Sequence, residues 1–315
     1  MKILVYGAGV VGSFFAAQLK NGGHDVSILA RGTRLSHINE YGIVLEDALT
    51  GESETTRIVT VETLESDTYE LIAVAMRRTQ VEKIFPVLSM CDTPVLFMVN
   101  NASGVNLYKP LGLERVLLGF SCTAGTRDGH IIRCLIPETC EIPLGEALYS
   151  KSKNKSKDNI TEHTQKIINA FNQAHIKVNI YDMDSWLKYH VALVSPLALA
   201  VLIAGDNYTL AQDKSLTTVM TRALKEGMSG LQKLKYPVTP KRFHMIKWLP
   251  ISVVSFVLRK AMNTKKAEIA VAGHSLDAVD EMKFLSEEFK QLIDKAGIPT
   301  PNIDELYQRV LDMYY

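Results

Sequence analysis

Three glycines near the start of the chain have the spacing of a phosphate-binding turn. Gly7, Gly9 and Gly12 follow a short apolar run, residues 3–6, that predicts a buried parallel strand. A helix-like pattern comes next and ends at Asn21-Gly22-Gly23. Such a turn lets the backbone approach a pyrophosphate at the N-terminus of the helix. The sequence therefore predicts a dinucleotide site, whose phosphate-binding residues are Gly7, Gly9, Val10, Val11 and Gly12.

The end of the second predicted strand indicates which dinucleotide is bound. NAD sites usually carry an acidic residue there for the ribose 2′-hydroxyl, whereas this chain has Ala30-Arg31 and then Arg34. A guanidinium can hold a 2′-phosphate through two hydrogen bonds, and no carboxylate is present to repel it. Arg31 therefore favours NADPH as the cofactor. The alternative is that Arg31 is a solvated loop charge.

A lysine in the second half of the chain is the best candidate for a proton donor. Lys188 lies in an apolar stretch that predicts a helix, for which Asp184 is a suitable N-terminal cap. A partly desolvated lysine can do acid–base chemistry near neutral pH. Ala192 and Ser195 follow at helical spacing and share its face, so Ser195 becomes a candidate substrate contact. His190 points elsewhere and is interpreted as a residue that packs in the core or supports the site from behind.

Other candidates are ambiguous by spacing alone. Glu268 is either an active-site carboxylate or a solvated helix residue. Asn100 and Asn101 follow a predicted strand and are either turn residues or cofactor contacts. The pair Arg77-Arg78 could hold a phosphate or a substrate carboxylate, or lie exposed in a loop. No metal site is predicted.

The elements that must position these residues indicate an α/β protein in two parts. Strand and helix patterns alternate through residues 1–182, which predicts a Rossmann-type, doubly wound sheet that binds NADP. A turn signal at residues 127–130 indicates that the late strands are antiparallel. Residues 183–315 predict an all-helical domain, which we expect to supply the second wall of a substrate cleft.

Composition limits the classes of partner. The 315 residues carry a net charge of +1, so no broad field for nucleic acid or a membrane is expected. The basic run Lys151–Lys157 is interpreted as a solvated loop, and the apolar stretch 191–204 as a buried helix that is too short to span a bilayer. The four cysteines are expected to be free thiols, which favours the cytoplasm. The oligomeric state stays open, with a homodimer as one option.

Taken together, these motifs resemble the ketopantoate reductases (2-dehydropantoate 2-reductases) along nearly the whole chain. The glycine turn with Arg31 resembles the NADPH site of that family, and Trp186-Leu187-Lys188 resembles the segment that carries its general-acid lysine. The segment Ala267-Glu268-Ile269 resembles the one that carries its active-site glutamate. The resemblance also implies cofactor contacts, which in this chain are Arg77, Gln80, Asn100 and Asn101.

Departures from the family pattern fall on the substrate side. The family has Asn where this chain has Ala192, its Asn-Pro is Ser195-Pro196 here, and its substrate-contacting Ser is replaced by Phe256, with Ser255 beside it. The resemblance implies an NADPH-dependent reductase of a 2-oxo acid, with ketopantoate as the expected substrate, Lys188 as proton donor and Ser195 and Ser255 as substrate contacts. The alternatives are a reductase of another carbonyl or imine substrate, or a non-catalytic NADPH-binding regulator.

Overall fold

The computed structural model describes residues 1–65, 68–148 and 160–315, so the predicted basic loop Lys151–Lys157 lies outside the described residues. The chain forms two compact units. The first contains Met1–Val99 and Val105–Met183, and the second contains Asn100–Gly104 and Asp184–Tyr315. A five-residue loop from the first half of the chain therefore packs with the helical second half.

The first unit contains two sheets. Its strands are β1 (Lys2–Tyr6), β2 (Asp25–Leu29), β3 (Ile43–Asp47), β4 (Ser53–Thr56), β5 (Val59–Val61), β6 (Leu71–Val74), β7 (Val95–Met98), β8 (Val116–Gly119), β9 (Gly125–Asp128), β10 (Ile131–Cys134), β11 (Cys140–Glu146) and β12 (Ile176–Ile180). The large sheet has the order β12-β11-β8-β7-β6-β1-β2-β5, and the small one β4-β3-β10-β9. Every neighbouring pair in the large sheet is parallel except β8 and β11.

Strand burial explains why the alternation of elements predicts this sheet. Every residue of β6, β7 and β8 is buried, as expected for central parallel strands that are covered on both faces. The predicted late antiparallel strands are confirmed by the β8–β11 pair and by the β9–β10 hairpin. Four helices accompany the strands in this described part: α1 (Val10–Asn21), α2 (Gly32–Tyr41), α3 (Phe85–Leu88) and α4 (Glu162–Gln173).

The second unit is helical. Its helices are α5 (Met183–Ala204), α6 (Asn207–Gln212), α7 (Lys214–Lys233), α8 (His244–Trp248), α9 (Ile251–Met262), α10 (Lys265–Ala267), α11 (His274–Asp277), α12 (Val279–Asp294) and α13 (Pro301–Tyr314). A π-helix, Glu268–Gly273, joins α10 to α11. Gly227 on α7 faces the ring of Phe289 on α12, where a Cβ would come within 2.9 Å of a ring carbon. The small residue lets these two helices approach closely.

Two predicted helices are each divided in the structure. Residues 210–234 predict one helix, but α6 and α7 are separated at Asp213, whose carboxylate caps α7 by accepting from the Leu216 N–H at 2.8 Å. Residues 243–262 also predict one helix, but Pro250 separates α8 from α9 because proline has no N–H to donate within a helix.

The prediction of four free cysteines is wrong for one pair. Cys122 and Cys140 form a disulfide with Cα atoms 6.0 Å apart, while Cys91 and Cys134 are free and buried. The two partners are 18 residues apart in sequence, and the antiparallel pairing of β8 and β11 brings their segments together. Spacing alone does not reveal such a pair.

Helix α5 is longer than the apolar stretch indicated. Its 22 residues are long and apolar enough to cross a membrane by length and composition, in contrast to the prediction from residues 191–204. In its most apolar window, 72% of the residues are buried inside the protein. Burial of this kind is typical of a core helix, which agrees with the interpretation of this stretch as a buried helix.

Candidate functional site

The glycine turn of the first unit has the geometry of a strand-to-helix phosphate loop. Gly7, directly after β1, has a φ of 119°, and a Cβ there would overlap the Ala75 carbonyl oxygen. A Cβ on Gly12 would overlap the Gly7 carbonyl oxygen. Only glycine therefore fits these two places without moving the chain.

The N-terminus of α1 is open to a ligand. Gly9 is the N-cap residue, no side chain caps this helix end, and a Cβ on Gly9 would have no atom within 4 Å. The first-turn N–H groups, which include those of Val10, Val11 and Gly12, have no acceptor within the helix itself. Space beside Gly9 and a positive helix end fit a pyrophosphate.

The side chain of Arg34 holds the glycine turn in place through hydrogen bonds. Its guanidinium is buried and donates to the Ala8 carbonyl at 3.0 Å, the His130 carbonyl at 3.1 Å and the Ser13 hydroxyl at 2.9 Å. Burial, together with the nearby charge of Arg127, lowers its pKa to about 10, so Arg34 stays charged at neutral pH. These bonds make Arg34 part of the fold.

Arg31 is placed differently. It is exposed and is the N-cap residue of α2, with Nε donating to the Glu62 carbonyl at 3.2 Å. The guanidinium therefore lies beside a second helix N-terminus at the end of β2, where both features favour an anion. The structure separates the two arginines into a supporting residue and one available to a ligand.

A second loop follows β6, which is the parallel neighbour of β1, so both loops lie at the same edge of the sheet. Arg77 and Gln80 are exposed there. Arg78 is buried and pairs with Glu82 at 3.0 Å. Of the two adjacent arginines, Arg77 is therefore the one whose side chain a ligand can reach.

In the second unit, the side-chain amide of Asn101 fixes the conformation of the loop Asn100–Gly104. Asn101 is fully buried, and its side chain accepts from the Gly104 N–H at 2.6 Å and donates to the Gly104 carbonyl at 3.2 Å. Asn101 therefore shapes the loop. The Oδ1 atom of Asn100 is buried and has no hydrogen-bond partner in the described part of the chain. An acceptor of this kind fits a ligand that brings an N–H or O–H group.

Glu288 on α12 holds the same loop from the other side. Its carboxylate accepts from the Ala102 N–H at 2.7 Å and from the Ser103 hydroxyl at 2.7 Å. Glu288 is not predictable from the sequence, because a lone glutamate 186 residues away along the chain shows no local signal.

Lys188 is buried against this loop. Only 1% of its side chain is exposed, and Nζ donates to Asp184 Oδ1 at 2.6 Å and to the Asp184 carbonyl at 3.2 Å. The same Nζ lies 4.7 Å from the centre of the Tyr236 ring. A Cβ on Gly104 would overlap both Nζ and the Asp184 carboxylate. A buried ammonium is thus held by a carboxylate, a ring face and a glycine.

The position of Asp184 corrects one prediction. Asp184 lies inside the first turn of α5, which begins at Met183, and its carboxylate binds Lys188 four residues later. It is therefore a partner of the candidate proton donor, although its place before an apolar run predicts a helix cap. The i,i+4 spacing was the signal that could have identified it.

Glu268 lies at the start of the π-helix, with 39% of its side chain exposed. Its carboxylate accepts from Lys265 at 2.5 Å and from the Tyr208 hydroxyl at 2.8 Å. These two hydrogen bonds lower its pKa, so Glu268 is ionised at neutral pH. Lys188 and Glu268 contact different partners, and the sequence had not identified Tyr208 or Lys265.

The two serines predicted to contact substrate are buried in the helical unit. Ser195 donates to the Ser286 hydroxyl at 2.8 Å, and Ser255 lies on the buried side of α9. Ala192 is fully buried and would lie 3.5 Å from a Cβ on Gly227. Phe256, in contrast, is 58% exposed. Both serines remain predictions, and the exposed group beside Ser255 is an aromatic ring.

His190 stacks on Trp186 with ring centres 5.0 Å apart, and burial lowers its pKa to about 4. It is therefore neutral at physiological pH, consistent with packing. Within residues 1–65, 68–148 and 160–315 no group of three or more His, Cys, Asp or Glu side chains could hold a metal ion.

Comparison with known proteins adds the following. The sequence model of the family described as Ketopantoate reductase PanE/ApbA matches residues 3–141. A search of curated protein sequences finds no match. Among solved structures, D-mandelate dehydrogenase with NADH and anilino(oxo)acetate is similar, with a TM-score of 0.78 and 16% identity over 99% of this chain and 98% of that one.

Two further solved structures are similar over nearly their whole length. The PanE/ApbA family ketopantoate reductase from Ralstonia eutropha JMP134 has a TM-score of 0.75 and 17% identity, and covers 99% of this chain and 98% of that chain. The dimeric ketopantoate reductase from Staphylococcus aureus has a TM-score of 0.72 and 11% identity, with coverage of 99% and 98%. These structures confirm the predicted fold, and the family model confirms the predicted resemblance to the ketopantoate reductases over residues 3–141.

Proposed function

We propose that this protein, whose residues 3–141 match the ketopantoate reductase family model, is an NADPH-dependent reductase of a 2-oxo acid. The observation that carries the proposal is the buried Lys188 ammonium, which Asp184 holds against the loop Asn100–Gly104. Burying an ammonium is costly even when it is paired, so a merely structural role would be served as well by an apolar residue.

The residues of the first unit fit the cofactor. Gly7, Gly9 and Gly12, with the N–H groups of Val10 and Val11, would hold the pyrophosphate at the open end of α1. Arg31 would bind the 2′-phosphate, and Arg77, Gln80 and Asn100 would contact the cofactor as in the family, while Asn101 would shape the loop that carries Asn100. When bound, NADPH supplies the hydride that reduces the carbonyl carbon.

Lys188 would complete the reduction at the oxygen. Its Nζ carries protons and gives one to the carbonyl oxygen, which becomes the hydroxyl of the product. Asp184 fixes the position of Nζ and balances its charge before the transfer. Glu268, which is ionised, would accept a hydrogen bond from a polar group of the substrate.

Ketopantoate is the first candidate substrate. The second is a 2-oxo acid with an aromatic group, because Phe256 is exposed where the family has a substrate-contacting Ser, and Ala192 replaces an amide. The similar D-mandelate dehydrogenase was solved with anilino(oxo)acetate, an aromatic ligand. Loss of polar partners at these two positions disfavours a substrate that needs them.

The test is NADPH oxidation by the purified protein with a panel of 2-oxo acids, including ketopantoate and phenylglyoxylate, and with NADH in parallel. We expect turnover with at least one of them and a preference for NADPH. Tight NADPH binding without turnover on any 2-oxo acid, other ketone or imine would support the alternative of a regulatory NADPH-binding protein.

The cytoplasmic location stays a prediction, and the disulfide between Cys122 and Cys140 removes the argument that all cysteines are free. A homodimer is proposed on the example of the dimeric Staphylococcus aureus relative.

A further inference from the structure

The helices α8 and α9 expose large apolar side chains, and Phe256 is the one among them that has a place in the proposed substrate site. Six large apolar residues within 245–257 are between 40% and 80% exposed. These residues, which we call the α8–α9 face, are Met245, Trp248, Leu249, Val253, Phe256 and Val257. Single exposed apolar residues are ordinary, but six at helical spacing on adjoining helices form a patch.

The fold holds this face outward. Val254, Ser255 and Met262 on the opposite side of α9 are buried, so α9 already has a core-facing side. Lys225 on α7 donates to the carbonyls of Lys247 and Leu249 and so fixes the turn between the two helices. The exposed side chains therefore belong to a fixed surface of the helical unit.

The charge around the face is strongly positive. Residues 227–267 contain nine Lys and Arg and no Asp or Glu. Because the whole chain has a net charge of +1, the remaining residues carry a formal charge of −8. We expected no membrane partner because the net charge is close to zero. That value is the sum of a positive region, residues 227–267, and a negative remainder of the chain.

Cations lie directly beside the exposed rings. Lys247 Nζ is 5.4 Å from the ring centre of Trp248, and Lys260 Nζ is 5.9 Å from that of Phe256. Lys241 and Arg242, just before α8, are also exposed. Apolar and aromatic residues flanked by Lys and Arg are typical of helices that lie in the interface of an anionic bilayer.

We propose that the α8–α9 face binds the surface of membranes that contain anionic lipids. Apolar side chains, Trp248 foremost, enter the headgroup region, while the neighbouring cations contact lipid phosphates. A second copy of the chain fits this face less well, because a twofold pair would bring the cations beside the face, among them Lys247 and Lys260, close to their own copies. An acidic protein would satisfy the cations but not the exposed apolar groups.

The test is co-sedimentation of the full-length protein with vesicles. We expect binding to phosphatidylcholine vesicles that contain about 30 mol % phosphatidylglycerol to be at least about tenfold tighter than to phosphatidylcholine alone. The binding should weaken strongly between about 0.1 M and about 0.5 M NaCl. Trp248 emission should shift to the blue on binding, and Trp248→Phe should abolish the shift, because the only other Trp, Trp186, is stacked on His190.

Matched variants distinguish vesicle binding by the α8–α9 face from binding by exposed apolar or basic residues elsewhere on the surface. Trp248→Ser with Val253→Ser, and separately Lys241→Glu with Arg242→Glu and Lys247→Glu, should each lower binding at least about fivefold. Met90→Ser, at an equally exposed apolar position, and the charge-matched Lys83→Glu with Lys109→Glu and Lys295→Glu should leave it unchanged.

Three results would overturn the proposal. The first is equal binding to both vesicle types or to neither. The second is equal loss of binding in the face variants and their controls. The third is a dimer, seen by sedimentation equilibrium, that Trp248→Ser dissociates, since the face would then cover a second copy. Binding to acidic polypeptide that survives Trp248→Ser, without vesicle binding, would assign the face to an acidic protein.

Discussion

The glycine turn of the first unit and the surroundings of Lys188 in the second reach their geometry in different ways. The turn is built mainly from neighbours in sequence: Gly7, Gly9 and Gly12 lie within six residues and shape one bend. Lys188 is held by Asp184 on its own helix, but also by Tyr236 and Gly104, which come from distant parts of the chain. Consecutive residues determine a local bend, whereas a buried charge depends on partner side chains and backbone that tertiary packing places around it.

The difference also separates two kinds of requirement. The turn needs the absence of side chains, so that backbone N–H groups face a phosphate. The Lys188 cluster needs charged side chains in a place where burial is costly unless each is paired. We therefore expect substitutions at the turn to act through cofactor affinity, and substitutions at the cluster to act through turnover and stability together.

The largest expected effect is on turnover at the Lys188 cluster. Lys188→Met removes the proton donor while keeping much of its volume, so turnover should fall by about 10²- to 10⁴-fold. NADPH affinity should change little, because the phosphate contacts lie elsewhere. Stopped-flow reduction and fluorescence titration with NADPH measure the two quantities separately.

Because Lys188→Met leaves the Asp184 carboxylate buried without its cation, its control is Lys188→Met with Asp184→Leu. This double variant should regain stability and remain inactive. A double variant that reduces substrate at the wild-type rate would remove Lys188 from the reaction.

The next effect is on stability. Asp184→Leu leaves a buried ammonium uncompensated, so the free energy of unfolding should fall by about 3–5 kcal/mol. A double-mutant cycle with Lys188→Met, followed by urea unfolding, measures the coupling between the two residues.

The matched control is Lys166–Glu162, another i,i+4 pair but with 66% and 85% of its side chains exposed. Its coupling should be much weaker than that of Lys188 and Asp184, because solvent screens both exposed charges. Equal couplings for the two pairs would show that burial does not distinguish Lys188.

The same contrast explains what could be predicted from the sequence. The sheet, the glycine turn and the helical second half follow from short-range patterns, and those predictions of fold hold. Lys188 was predicted from the apolar residues around it. Asp184 was interpreted as a cap, because its true role depends on the direction of its side chain. Glu288 was missed, because it contacts a loop that is distant in sequence. The disulfide was not predicted because the pairing of β8 and β11 brings its two cysteines together, and the asymmetric charge was missed because a sum over the whole chain conceals a local run of cations.

A third prediction concerns cofactor binding at the glycine turn and the two arginines near it, Arg31 and Arg34. Arg31→Ala should weaken NADPH binding by about 10- to 100-fold and NADH binding far less, because a charge-assisted contact to a phosphate contributes about 1.5–3 kcal/mol. Isothermal titration with both cofactors gives the ratio.

Arg34→Gln is the control, because Arg34 is buried under the turn and donates to the Ala8 carbonyl. Its loss should reduce binding of both cofactors to a similar extent. Equal losses of NADPH and NADH for Arg31→Ala would rule out recognition of the 2′-phosphate by that residue.

The smallest effect is a pH dependence at His190, two residues beyond Lys188. Burial lowers its pKa from 6.5 to about 4, so between these values the unfolded chain binds a proton that the folded chain does not. Stability from this residue is complete above pH 6.5 and is lost as the pH falls toward 4, by about 1–3 kcal/mol. Urea unfolding of wild type and His190→Phe, which keeps a ring against Trp186, should show a shallower acid loss in the variant. Parallel curves of unfolding free energy against pH would mean that His190 has the same pKa in the folded and unfolded chains. A shallower curve for the variant would instead show that part of the acid sensitivity of the helical unit arises on α5, the helix that carries Lys188, and not at the glycine turn.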